Sequence, residues 1–318
     1  MTHKERFTAA LRREPVQGNV PTFEMVFYLT MEVFGKVHPA HRSFVQWTQM
    51  SEQERILQRN DIADIYINIA KKYDHDCIHF YPSVEDFDEI IRTLYAIRER
   101  GGEDYFIIIL GDPTFGIPNG ENMMDMSLQF YEEPEEMHRI AQAKLEACIK
   151  RAEKLSGLDG LLDGFAMCED YCFNTNPFLS PAMFGEFIAP YLQKTCDAYR
   201  DMGFYSIKHT DGNINPIVDQ LVQCGPDALH SLDPQGGVSL AEIKRLYGDR
   251  VALCGNVNCG LLQTGTDVEV ASDVRRSLRE GMDGWGYIFS TSNCVYTGLD
   301  VKRYDMMMDI WRKEGIYS

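Results

Sequence analysis

The sequence predicts an α/β protein, a single (β/α)8 TIM barrel spanning residues 1–318 with a short helical extension at its N-terminus. Three observations carry this expectation. Short apolar runs alternate with amphipathic helical stretches along the whole chain, the pattern of βα units in a parallel sheet. The clearest run, Tyr105-Phe106-Ile107-Ile108-Ile109-Leu110, is apolar on both faces and so belongs in a sheet covered on both sides. The runs end in Gly, Asp, Asn, His or Cys, so polar chemistry collects at strand ends, where barrel sites are built.

Taken in order, Lys4–Arg12 reads as an amphipathic helix with Phe7, Ala10 and Leu11 on one face. Pro15 and Pro21 mark an extended entry to a buried strand, Thr22–Tyr28, in which Glu24 is an acid needing a partner. Residues 43–60 have helical spacing, and 64–69 either continue that helix or form a strand. Asp76–Tyr81 is a strand stopped by Pro82, and Glu85–Glu99 is helical. After the 105–110 strand, Glu121–Tyr131 and Pro134–Leu155 are helices, the second with Met137, Ile140, Ala141, Leu145 and Ile149 on one stripe. Gly160–Cys168 is a strand running into Glu169-Asp170. Ser180-Pro181 carries an N-cap followed by Pro at the first helical position. Strands then end at Ile207, Asp233, Leu253 and Phe289. Helices follow at Ile214–Gln223, Ser239–Tyr247, Val268–Gly281 and Asp300–Glu314.

Lys plus Arg is 31 and Asp plus Glu is 48, a net charge of −17. This argues against a nucleic-acid partner, which needs a basic footprint, and favours a protein partner with a basic docking face. No run of about 18 apolar residues suggests a membrane span. The N-terminal residues lack the apolar stretch of a secretory signal, and the nine cysteines form no disulfide-like pattern. A cytoplasmic protein is expected, with most cysteines as buried thiols, and a homodimer is allowed.

Three strand ends deliver His209, Cys254 and Cys294. If these strands are neighbours in a barrel, one His and two Cys make a first shell for zinc with a position left for a fourth ligand or a substrate. Cys259 is also near that rim, and Cys168 and Cys172 flank Glu169. Glu169 is a candidate ligand or acid catalyst, and Asp211 a group that holds the imidazole or its loop. His79 and His230 fall at strand ends as candidate substrate contacts. Aromatic residues crowd the rim segments, among them Phe27, Tyr81, Phe115, Tyr171 and Tyr296, and would suit a flat aromatic substrate. Each has an ordinary alternative: a core histidine, a buried thiol, a solvated acid or a core ring.

The stretches Arg6-Phe7-Thr8-Ala9-Ala10-Leu11, Ile109–Thr114, Glu169-Asp170, Ser180–Phe184, Tyr191, His209-Thr210-Asp211-Gly212-Asn213, Leu253–Val257 and Tyr287–Ser290 resemble the uroporphyrinogen decarboxylase superfamily, especially its cobamide-dependent methyltransferase branch. The resemblance implies a TIM barrel with its site on the C-terminal face. Decarboxylases of the superfamily carry an arginine-rich N-terminal segment for a polycarboxylate substrate. Residues 12–35 hold only Arg12 and Arg13. The methyltransferases hold zinc with a His-x-Cys motif and a distant Cys. His209 and Cys294 match, whereas Asp211 stands at the middle position and Cys254 on another strand. That altered set resembles the demethylating members, which imply a small-molecule methyl donor, probed as an aryl methyl ether, and transfer to the cobalt of a corrinoid. No Asp-x-His-x-x-Gly stretch is present, so the corrinoid would arrive on a separate corrinoid-binding protein. Methyl transfer from a methyl-corrinoid to a thiol of the coenzyme M type is the alternative. A decarboxylase or a non-catalytic binding protein stands further off.

Overall fold

The computed structural model describes residues 1–84 and 86–317. The chain opens with helix α1 (His3–Leu11), capped by a reciprocal Thr2–Glu5 pair, and a two-residue strand β1 (Gly18–Asn19). Helix α2 (Thr30–Phe34) and helix α3 (Glu52–Tyr73) precede strand β2 (Cys77–His79). Then come α4 (Phe87–Ile97), β3 (Phe106–Leu110), α5 (Met123–Glu132), α6 (Pro134–Ser156) and β4 (Gly164–Met167). The second half continues with α7 (Pro181–Phe187), α8 (Ala189–Asp201), β5 (Tyr205–His209), α9 (Val218–Gln223), β6 (Ala228–His230), α10 (Leu240–Tyr247) and β7 (Ala252–Cys254). It closes with α11 (Cys259–Thr264), α12 (Asp267–Gly281), β8 (Tyr287–Ile288), α13 (Val301–Glu314) and β9 (Ile316–Tyr317).

Strands β2 to β8 form one seven-stranded parallel sheet in chain order, while β1 and β9 pair separately as an antiparallel ribbon. The expected strand Thr22–Tyr28 forms no ladder. Pro21 has no N–H to donate, and the Thr22 N–H goes to the Asp76 carboxylate at 2.9 Å rather than to a neighbouring strand. The segment nevertheless lies between the two edges of the curled sheet. Phe289 N–H donates to the Pro21 carbonyl at 2.8 Å on one side, and Asp76 N–H to the Thr22 carbonyl at 2.7 Å on the other. The observed architecture is therefore a curled seven-strand parallel sheet with an extended segment across its gap, where eight regular strands are expected from sequence.

Inside the curl, Phe23, Met25, Cys77, Phe106, Ile108, Ala166, Ile207, Ala252, Cys254 and Ile288 form one buried cluster. Alternate residues of the same strands, such as Ile107, Ile109 and Phe165, face the helices in a second cluster, as a strand's two-residue period requires. Helix α1 covers the amino-end mouth, with the Phe7 ring 4.9 Å from Phe106 and 5.4 Å from Phe23. That leaves the carboxyl ends of the strands to carry the opening.

Helix α3 resolves the open reading of 64–69 as helix, with a capping box at Ser51 and Glu54, whereas of residues 43–50 only Trp47–Gln49 are helical, as a short 3-10 turn. The expected helix start at Glu85 lies outside the described residues. The expected Ile214 helix start moves to Val218, because the loop after β5 is held by its own hydrogen bonds. In that loop Gly212 has φ +78°, and a Cβ there would lie 2.5 Å from the Cys172 carbonyl oxygen and 2.6 Å from that of Phe173. Gly212→Ala is therefore expected to cost about 2 kcal/mol or more, measured by urea unfolding. A loss under about 0.5 kcal/mol would show that this loop has room to move.

Candidate active site

Strand β5 ends in His209, and its parity turns Ile207 and His209 inward while Ser206 and Lys208 face the helices. His209 Nδ1 lies 2.7 Å from His230 Nδ1, at the end of the neighbouring strand β6. His209 Nε2 lies 3.6 Å from an Asp170 carboxylate oxygen and 3.7 Å from one of Asp211. Potential ligand atoms of Asp170, His209 and Asp211 all fall within 4.8 Å of one another. The Asp170 carboxylate is fixed by the Asp211 N–H at 2.9 Å. Asp211 accepts from Ser231 Oγ at 2.7 Å and from the Asn293 amide. Burial raises the Asp211 pKa above the ordinary carboxylate value, and His209 opposes that rise.

This cluster opens onto a cavity of about 730 Å³ at the carboxyl ends of the strands. His79, Tyr81, Glu169, His209, Asp211 and Cys294, all singled out from the sequence, are among its lining residues. The three expected metal ligands do not converge. Cys254 is wholly buried inside the sheet, in the cluster with Phe23, Met25 and Cys77, and does not line the cavity. Asp170 and Asp211 stand with His209 instead. Cys294 lines the cavity beside Asp211, its thiol pushed up to about 12 by burial and by the Asp211 charge. Burial lowers the His79 pKa to about 4, and His79 Nδ1 is 2.5 Å from the Met25 carbonyl oxygen.

Several expected substrate contacts sit elsewhere. Phe27 packs against Tyr73 and Tyr304 at 5.1 and 5.2 Å. Phe115 and Tyr171 line a separate narrow apolar cleft. His230 is buried behind His209. Tyr296 turns outward to Gln263, 3.0 Å away. These rings are near the rim in sequence, but side-chain direction takes them into the helix layer or the surface.

Sequence reasoning missed four contributors. Asp170 was visible as the second acid of the Glu169-Asp170 pair. Asp112 lines the cavity and accepts from the fully buried Lys208 ammonium at 2.7 Å. Burial would push Asp112 up, but the Lys208 charge and the Thr114 hydrogen bonds hold it below the usual carboxylate range. Lys144 and Arg151 reach the cavity from α6, a helix read only for its apolar stripe. Burial raises the Glu169 pKa, the nearby Asp112 charge adds to the rise, and the Glu169 carboxylate packs where a Cβ on Gly116 would stand.

A curled parallel sheet with a polar cavity at its carboxyl ends defines a barrel-like α/β protein with one candidate active site. The uroporphyrinogen decarboxylase (URO-D) family model matches residues 118–314, and the chain belongs to that family. No curated protein matches by sequence comparison. A methyltransferase from Methanosarcina mazei is similar in structure, with a TM-score of 0.73 and 18% identity over 99% of each chain. A putative vitamin-B12 independent methionine synthase from Listeria monocytogenes has a TM-score of 0.50 and 10% identity, covering 92% of this chain and 95% of that one. At these identities the two structures establish a shared fold. Among the described residues, no helix is long and apolar enough to cross a membrane.

Proposed function

We propose that this protein is a zinc-dependent methyltransferase that removes a methyl group from a methoxylated aromatic compound and passes it to the cobalt of a corrinoid on a separate protein. The observation that carries the reading is the Asp170–His209–Asp211 cluster facing a cavity that also presents Glu169, Tyr28, Tyr81 and Cys294. The donor set suits zinc: one imidazole, two carboxylates and a neighbouring thiol. His209, Asp170 and Asp211 would hold the ion, with Cys294 available as a fourth ligand. Bound there, zinc supplies an electrophile for the departing ether oxygen. His230, whose pKa burial lowers, lies 2.7 Å from His209 Nδ1, and by accepting there it would keep Nε2 turned to the carboxylates. Glu169, whose raised pKa favours its protonated form, can give a proton to the leaving phenolate. Tyr28 and Tyr81 offer faces for a flat ring.

Decarboxylation of a polycarboxylate, the other chemistry of the superfamily, lacks N-terminal arginines in the cavity. Arg12 donates to the Tyr205 hydroxyl at 2.7 Å, at the amino end of β5, and Arg13 to the Leu11 carbonyl. Neither lines the cavity. The corrinoid carrier would dock over the carboxyl-end opening, because direct transfer brings cobalt close to the methyl group.

Metal analysis of the purified protein is expected to find about one zinc per chain. His209→Ala and Asp211→Ala should lose it and Cys254→Ser should keep it. Full metal content in both His209→Ala and Asp211→Ala would reject this cluster. The activity itself is tested by a methyl-donor screen with a reduced corrinoid protein, read by the cob(I)alamin-to-methylcobalamin absorbance change. Transfer from a methyl-corrinoid to a thiol, with none from any ether, would replace this reading with the thiol one.

A further inference from the structure

Glu24, on the extended segment across the gap of the sheet, is buried, and the chemistry proposed above does not use it. Its Oε2 lies 2.6 Å from Thr291 Oγ1, both its oxygens lie 3.3 Å from the Thr291 nitrogen, and Oε1 lies 3.2 Å from the Tyr304 hydroxyl. The Thr291 hydroxyl has a second neighbour, the Asn293 carbonyl oxygen at 3.0 Å. A hydroxyl carries one hydrogen, and a carbonyl oxygen carries none. Beside an ionised Glu24, Thr291 would have that one hydrogen for two acceptors. Beside a protonated Glu24, the acid donates to Thr291 Oγ1 and Thr291 donates to Asn293, so both contacts are hydrogen bonds. Asn293 in turn meets the candidate metal cluster. Its side-chain amide donates to Asp211, and its Oδ1 accepts from the Cys294 N–H at 2.6 Å.

We infer that Glu24 is a positioning residue held as a neutral acid, which through Thr291 fixes the Asn293 main chain and so the amide that holds Asp211. The inference rests on the reading of the Asp170–His209–Asp211 cluster as the metal site. The surroundings of Glu24 favour the neutral form. Burial raises its pKa from the ordinary 4.5 to about 8, opposed only by hydrogen bonds from Thr291 and Tyr304, and no cation offsets the burial. The other titratable groups around it are uncharged near neutral pH. His79 lines the same small pocket as Glu24, as does His75, which meets the Tyr304 hydroxyl at 3.1 Å. Burial lowers the His75 pKa to about 3 and that of His79 to about 4. It pushes the Cys259 thiol up to about 12 and Tyr304 well above its ordinary value. Ionised, Glu24 would be a buried charge without a counter-ion, and the Thr291 hydroxyl would turn from Asn293 to the carboxylate.

The test compares wild type with Glu24→Gln, whose amide can donate to Thr291 and accept from Tyr304 as the neutral acid does, and with Glu24→Met, which can do neither. The first measurement is urea unfolding with a chelator present, so that metal binding does not enter. Between pH 4.5 and about 8 the folded wild type keeps a proton that its unfolded chain has released, so its stability falls as pH rises through this window. Glu24→Gln has no such proton, and its urea midpoint should gain on that of wild type from about pH 5 to about pH 8. A difference that stays constant or shrinks, or a Glu24→Gln chain that does not fold, would overturn the neutral acid. The second measurement is zinc affinity at neutral pH, in competition with a chromophoric chelator. Glu24→Gln should stay within about threefold of wild type, and Glu24→Met should bind roughly tenfold more weakly. Affinity in Glu24→Met equal to wild type, or an equal loss in both variants, would overturn the positioning role. If Glu24→Met does not fold, Thr291→Val, which deletes the hydroxyl, takes its place. A wild type that binds no zinc removes the metal reading alone. Amide exchange of residues 292–295 then decides the positioning role: it should be roughly tenfold or more faster in Glu24→Met than in Glu24→Gln, and equal rates would overturn it.

Discussion

His209→Ala is expected to lower demethylation of an aryl methyl ether by on the order of a thousandfold or more, while the ether still binds in the cavity. His209 is the imidazole whose Nε2 faces both Asp170 and Asp211, at 3.6 and 3.7 Å. Its removal leaves two carboxylates without the nitrogen that completes the cluster. Tyr28 and Tyr81, the rings proposed to hold the substrate, line the same cavity and remain in the variant. The deficit should also depend on the substrate. A phenol with a pKa of about 10 leaves with help, and a more acidic phenol needs less. Single-turnover rates across a series of substituted methyl ethers measure this. A deficit that shrinks with leaving-group acidity supports action on the ether oxygen. One that stays constant makes the cluster a positioning element, and a rate within tenfold of wild type removes His209 from the reaction.

Lys208→Met is expected to destabilise the fold by about 3 kcal/mol or more. Lys208 is 0% exposed, and its ammonium donates to Asp112 at 2.7 Å and to the Glu169 carbonyl at 2.8 Å, 4.0 Å from the Tyr171 ring centroid. Methionine keeps the length but leaves the Asp112 charge buried without its cation. Hydrogen bonds from Thr114 and from the Glu169 N–H remain, which limits the loss. The pH dependence has a definite sign. The folded pKa of Asp112 lies below its ordinary value, so its stabilisation is complete above the unfolded carboxylate value and is lost as pH falls through the folded one. In Lys208→Met burial acts unopposed by that cation, so the destabilisation should be largest near neutral pH and shrink in acid. Adding Asp112→Asn should recover part of it. Urea unfolding of the three proteins, wild type, Lys208→Met and the double variant, between about pH 4 and 7 gives both results. A loss under about 1 kcal/mol at neutral pH would show that the pair contributes little.

The alternation of apolar runs and amphipathic stretches determined the α/β class, because burial on both faces and helical spacing are local properties of the chain. The strand ends at His79, His209, His230 and Cys254 were legible for the same reason. The run Thr22–Tyr28 read as one more strand, yet the Thr22 N–H is taken by Asp76, a partner more than fifty residues away in the chain. Nothing in the sequence singles out Lys208, and only the packed structure brings Asp112 to it. Lys144 and Arg151 flank the apolar stripe of α6, and spacing alone cannot say what lies against that flank. Cys254 and His209 both end inner strands, but the sheet's curl and the side chains around Cys254 decide which opens to the cavity. Sequence thus determined which residue types stand at the strand ends. Tertiary structure decided which of them meet, because side-chain direction, register and burial depend on contacts between distant parts of the chain.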